Sequence, residues 1–81
     1  MKVKLLLFAS LKDIAGRRDL EMELDDGSTL QQVTEKLASL YPEIGRMQNS
    51  VRIAINQEFA DENIPLNNGD EIAFLPPMSG G

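Results

Sequence analysis

Eighty-one residues accommodate one small domain, since autonomous domains run from about 50 to 250 residues, and a chain this short is not expected to enclose a deep active-site cavity. With no cysteine, histidine or tryptophan among them, disulfides, Cys/His metal sites, a thiol nucleophile and a histidine general base are excluded. A net charge of −5, from 8 basic and 13 acidic residues, argues against a nucleic-acid partner, whose phosphates would repel the chain.

Val3 to Ala9 reads as a strand: Val3, Leu5, Leu7 and Ala9 fall on one face and Lys4, Leu6 and Phe8 on the other. Both faces are partly apolar, which places it centrally in a sheet. A short helical turn is expected over Leu11 to Ala15, ended by Gly16, and Leu20, Met22 and Leu24 then alternate with Glu21 and Glu23 in a half-exposed strand. Asp26-Gly27 breaks that strand. Ser28 with Gln31 three residues on forms a capping-box pattern, and Leu30, Val33, Leu37 and Leu40 follow at helical spacing, so one amphipathic helix is expected from about Thr29 to Tyr41. Pro42 ends it, and Glu43 to Ser50 reads as an irregular crossing.

Val51, Ile53 and Ile55 make a third strand, and Asn56-Gln57-Glu58 turns it back into Phe59-Ala60 as a small hairpin. Ile64-Pro65-Leu66 serves at most as a brief edge segment, because proline donates nothing to a ladder. Asn67-Asn68-Gly69-Asp70 is a turn that launches a last strand, Glu71 to Leu75. Two strands, a helix and further strands give an α+β class: a mixed sheet of four to five strands with one main helix on one face, the β-grasp or ubiquitin-like arrangement. Residues 1–75 form this domain and 76–81 an extended C-terminal tail.

Charge is unevenly spread. Residues 1–18 hold five bases against one acid, and residues 19–81 three bases against twelve acids. After Arg52 there are five acids and no base, which suits a partner with a basic docking surface or serves solubility alone. No run of 18 apolar residues and no signal-peptide core occur, so the chain reads as soluble, intracellular and cytoplasmic, without a membrane partner.

The tail, Pro76-Pro77-Met78-Ser79-Gly80-Gly81, carries the chemistry. Consecutive prolines favour a stiff extended exit, and the stretch from Leu75 to Gly81 reaches roughly 23–25 Å if fully extended. Gly80 and Gly81 lack side chains, so the tip passes through a tunnel that any Cβ would block and exposes an unhindered terminal carboxylate. A carboxylate is a poor acyl donor until it is activated, most directly as an acyl-adenylate made from ATP. The chain has no phosphate-binding loop, since its six glycines match neither GxxxxGK[ST] nor GxGxxG. The carboxylate pairs Asp25-Asp26, Asp61-Glu62 and Asp70-Glu71 adjoin turn residues and read as solvated turn acids. The chain is therefore a substrate-like carrier that binds no cofactor itself, with ATP used by a separate activating enzyme.

The Val3-to-Ala9 strand with Phe8, the run from Leu66 to Phe74 and the Pro-Pro-Met-Ser-Gly-Gly end resemble the small, sulfur-carrier subunit of molybdopterin synthase over essentially the whole chain. The resemblance implies that Gly81 is adenylated by an E1-like, ATP-dependent adenylyltransferase and sulfurylase, then converted to a thiocarboxylate with sulfur mobilised from cysteine. Gly80 serves access. It further implies that the large synthase subunit accepts the tail, that the thiocarboxylate donates sulfur to cyclic pyranopterin monophosphate, and that the assembly is a heterotetramer around two large subunits.

The outward residues of the three central strands, Leu6, Phe8, Ala54, Ala73 and Leu75, give an apolar patch where a one-helix sheet should be polar. With Pro76, Pro77, Met78 and Ser79 it is read as the partner interface, unless Glu43 to Ser50 folds over it. Three other readings stay open: a sulfur carrier of another, thiamine-type pathway, a ubiquitin-like modifier forming isopeptide bonds through Gly81, and a non-covalent binding module.

Overall fold

In the computed structural model, which describes residues 1–60 and 64–76, Val3, Leu5 and Leu7 alternate with Lys2, Lys4 and Leu6 along the first strand, β1 (Lys2–Leu7). The strand stops two residues short of the sequence expectation. Ala9 takes φ 51° and ψ −124°, a region that only glycine enters cheaply, and the chain turns there into α1 (Ser10–Ala15). Gly16, at φ 75°, ends α1 in the left-handed conformation, donating its N–H to the Lys12 carbonyl. The second strand, β2 (Asp19–Glu23), returns antiparallel to β1 and buries Met22.

The helix start differs by one residue from the expected cap. Ser28 is buried and turns its hydroxyl back to donate to the Asp25 carbonyl at 2.7 Å, which closes the Asp-Gly turn. Thr29, still extended at φ −104° and ψ 168°, becomes the N-cap of α2 (Leu30–Leu40) and donates its backbone N–H to Gln32 Oε1 at 2.8 Å. Leu30, Val33 and Leu37 are buried as their spacing requires. Leu40 is not: it is 55% exposed in the last turn of α2, and Ile44 from the next element is the residue buried in the core instead.

Pro42 ends α2 and also opens α3 (Pro42–Arg46), because proline costs nothing at a helix's first position, where the N–H has no partner anyway. The stretch expected to be irregular is therefore mostly ordered, as α3 and a 3-10 turn at Gln48–Ser50. α3 lies against α2 and α1. The approach is close, since a Cβ added at Gly45 would lie 3.0 Å from Ala38 Cβ.

The remaining strands are β3 (Arg52–Ile55), β4 (Glu58–Phe59) and β5 (Glu71–Leu75). They complete a five-stranded sheet in the order β2-β1-β5-β3-β4, with β1 and β5 parallel at its centre and the other pairs antiparallel. Ile64-Pro65-Leu66 runs along the start of α2: Leu30 donates its N–H to the Ile64 carbonyl, Leu66 donates to Ser28, and Leu66 enters the core. Val3, Leu5, Leu7, Ile72 and Phe74 from the sheet and Leu30, Val33 and Leu37 from α2 share one apolar cluster on one face of the sheet. This is the α+β, β-grasp architecture expected from the element order.

The β3–β4 hairpin closes through two residues, not three. Ile55 pairs with Glu58, and Asn56 and Gln57 between them have φ 50° and 74°, the type I′ geometry that matches strand twist. Glycine suits the second position best, so Gln57→Gly is expected to stabilise the domain by about 0.5 kcal/mol after the entropy cost of glycine is subtracted, raising Tm by about 2–4 °C. Thermal unfolding followed by circular dichroism checks this, and a lowered Tm contradicts the hairpin geometry.

Candidate functional site

The sheet face opposite α2 divides into two halves. Across β1 and β2 its side chains are charged and complementary, Lys2 opposite Glu23 and Lys4 opposite Glu21, and Lys4 also faces Glu71 on β5. Such cross-strand pairs contribute about 0.2–1 kcal/mol each and keep the edge strand solvated. Toward β5 and β3 the face becomes apolar. The register sets Leu6 beside Ala73, Ala73 beside Ala54, and Ala54 beside Phe59, one continuous row from β1 to β4.

A second row lies at the end of the sheet where β5 finishes. Leu7 pairs with Phe74, and the next residue on each strand, Phe8 and Leu75, extends that end outward, with Arg52 paired to Leu75 on the other side. Phe8 is 38% exposed and Phe59 63%, whereas Leu6, Ala73, Leu75 and Pro76 are half-buried. The Arg52 guanidinium lies 4.2 Å above the Phe59 ring, a cation–π arrangement that holds the ring over the apolar row.

All five residues expected on the outer patch thus lie together, with one correction: Ala54 is only 8% exposed, being flanked by Ala73 and Phe59, and it forms the floor of the patch. Glu43 to Ser50 does not cover the patch, since α3 packs with α1 and α2. Pro76 follows β5 directly, so the tail starts from the end of a central strand beside the patch. The expected tail residues Pro77, Met78, Ser79, Gly80 and Gly81 lie outside the described residues, as do Asp61 and Glu62.

Two members of the patch were missed by sequence reading, Phe59 and Arg52. A three-residue turn would set Phe59 opposite Ile55 on the covered face, and the two-residue turn sets it opposite Ala54 on the open one. Arg52 carried a signal, because it alternates with Ile53 and shares its face with Ala54.

One acid also departs from expectation. Asp70 is buried rather than solvated: its carboxylate accepts from Asn56 Nδ2 at 3.0 Å and from the Asn67 backbone N–H at 2.8 Å. Among the described residues no cluster of three or more acidic side chains could hold a metal ion, and no helix is long and apolar enough to cross a membrane.

Comparison with known proteins fits this geometry. The ThiS family profile matches residues 5–81. The molybdopterin synthase sulfur carrier subunit of Dictyostelium discoideum is 40% identical over 81 residues, covering 96% of this chain and 94% of its own. The Arabidopsis thaliana protein of the same name is 32% identical, covering 100% of this chain and 84% of its own. Among solved structures, SAMP1 from Haloferax volcanii, a small archaeal modifier protein, superposes with a TM-score of 0.89 at 27% identity over the full length of both chains. The chain belongs to the ThiS family, among the ubiquitin-like molybdopterin synthase sulfur carrier subunits.

Proposed function

We propose that this protein is the sulfur carrier of molybdenum cofactor biosynthesis, loaded at Gly81 and docked on the large subunit of molybdopterin synthase through its outer apolar face. The observation that carries the reading is the position of that face: it lies at the end of β5, beside the point where the tail begins at Pro76. A partner seated on Phe8, Leu75 and Phe59 holds the start of the tail at a fixed distance from its own active site. The large apolar side chains supply affinity, and Leu6, Ala54 and Ala73 supply a flat floor. The names of the relatives, subunits of a synthase, support a second subunit as that partner.

The chemistry takes place at the C-terminal carbon. An E1-like enzyme joins the Gly81 carboxylate to the α-phosphorus of ATP, releasing pyrophosphate and making AMP a good leaving group. Hydrosulfide, or a persulfide whose acyl disulfide product is then reduced by a thiol, forms the C–S bond as the bond to AMP breaks and AMP leaves. The product is a thiocarboxylate, ionised and nucleophilic at neutral pH, where the original carboxylate was inert. Within the synthase that sulfur forms a bond to cyclic pyranopterin monophosphate, and water then cleaves its bond to the Gly81 carbonyl carbon, which returns as a carboxylate. Gly80 gives the tip its narrow cross-section, and Pro76, Pro77, Met78 and Ser79 line the approach. The carrier acts in the cytoplasm, two copies on a dimer of large subunits, and is not catalytic on its own.

A reconstituted reaction tests this. Carrier previously thiocarboxylated by its activating enzyme, mixed with the large subunit and cyclic pyranopterin monophosphate, is expected to yield molybdopterin, and the unloaded carrier none. Equal yield from both would overturn the proposal. A modifier role is the second reading, favoured by the likeness to SAMP1. It predicts high-molecular-weight conjugates in cells that disappear when Gly81 is deleted.

A further inference from the structure

The β3–β4 hairpin that carries Phe59 has little of its own to hold it. Among the described residues its outer strand β4 is two residues long and pairs with β3 at two positions, Ala54–Phe59 and Ile55–Glu58, followed by one more bond from the Ala60 N–H to the Ile53 carbonyl at 3.0 Å. A ladder this short is marginal in water. Yet the hairpin presents the most exposed aromatic side chain of the apolar face, and a docking anchor that wanders costs conformational entropy on binding.

The Arg52 guanidinium steadies the Phe59 ring itself, and the tip of the hairpin is fixed by the side chain of Asn56. Asn56 Nδ2 donates to Asp70 Oδ1 at 3.0 Å, and Asn56 Oδ1 accepts the Glu71 backbone N–H at 3.0 Å. The Asn56 backbone N–H donates to the Glu71 carbonyl at 2.8 Å, so both ends of the carboxamide and the main chain engage Asp70 and Glu71, where β5 begins. Asp70 cannot swing away, because its other oxygen is held by the Asn67 N–H and the residue is only 9% exposed. The Asp70 carbonyl in turn accepts the Lys4 N–H at 2.9 Å, tying the assembly to β1 and hence to the strand leading to Phe8. The left-handed backbone at Asn56, φ 50°, would be met by glycine as well. The carboxamide therefore serves the clamp rather than the turn.

We propose that Asn56 is a positioning residue for docking: clamped to Asp70 and Glu71, it holds the hairpin so that Phe59 and Phe8, from adjacent rows, form one rigid partner surface. The inference rests on the docking reading of the outer face given above. Asn56 itself need touch no partner atom, and its effect on affinity passes through Phe59.

A double-mutant cycle on the full chain tests it, with dissociation constants for the purified large subunit measured by titration calorimetry. Phe59→Ala is expected to weaken binding at least about tenfold, and Asn56→Gly, which keeps the turn but removes the clamp, by about tenfold. Combined with Phe59→Ala, Asn56→Gly is expected to add less than about twofold, because no anchor is left to position. A purely structural role moves stability but not this coupling. If Asn56→Gly weakens binding by the same factor in both backgrounds, or not at all while Phe59→Ala does, the positioning role is overturned and docking stands. If Phe59→Ala binds as the parent does, docking through the hairpin falls and the positioning role with it. Should Asn56→Gly fail to fold, Asp70→Asn, which weakens the clamp from its other side, is expected to show the same dependence on Phe59.

Discussion

Deleting Gly81 is expected to lower sulfur transfer at least about a hundredfold while leaving the domain folded. Removal of one residue withdraws the chain's terminal carboxylate by about 3.5 Å, and a displacement of even about 1 Å at a reacting centre can cost about a hundredfold in rate. In the proposed mechanism adenylation and transfer both use that terminus, so the losses would compound. The domain is expected to stay folded, because among the described residues the last core side chain is Phe74 and β5 ends at Leu75. Molybdoenzyme activity in a strain lacking the gene measures the effect. The full chain is expected to restore activity and the shortened chain not, with both showing the same thermal unfolding. Full restoration by a chain lacking Gly80 and Gly81 would instead indicate a non-covalent binding module.

Phe8→Asp carries the second largest effect. Phe8 is 38% exposed at the end of the apolar face, and docking would bury it beside Leu75 and Arg52. Replacing an aromatic anchor typically costs about 2–4 kcal/mol, and a carboxylate left against an apolar partner adds desolvation, so the dissociation constant is expected to rise by about 30-fold to 1,000-fold. The domain should tolerate the change, because the side chain lies outside the apolar core cluster. Leu40→Asp provides the control: Leu40 is 55% exposed on α2, across the sheet from the patch, and its substitution is expected to leave affinity unchanged. Equal binding by the parent and Phe8→Asp, measured by calorimetry against the large subunit, would remove the outer face as the docking surface.

The strands and the main helix were legible because their periods are unambiguous: Val3-Leu5-Leu7 at two, and Leu30-Val33-Leu37 at three to four. The outer patch was legible for the same reason, since residues facing away from a core share a parity. What escaped depended on single-residue offsets or on long-range partners. One residue in the hairpin turn decides which face Phe59 occupies, and local sequence does not count that residue. Asp70 looked solvated because Asn-Asn-Gly-Asp is a polar turn, but Asn56, the side chain that pairs with it, lies 14 residues earlier. α3 has too few turns for a periodic signal, and Pro42 was read as a stop where it is also a start. The tail's role stands on residue chemistry and on the family, as Pro77 to Gly81 lie outside the described residues.

The absence of cysteine and histidine, which first argued against side-chain catalysis, fits a carrier whose reactive group is its own terminus. Intact-mass measurement after incubation with ATP, the activating enzyme and a sulfur donor tests that claim most directly. A gain equal to replacing one oxygen by sulfur is expected, located at Gly81 by fragmentation and absent when ATP is omitted. A mass unchanged by enzymes shown to load another carrier, or sulfur found at any other residue, would contradict it.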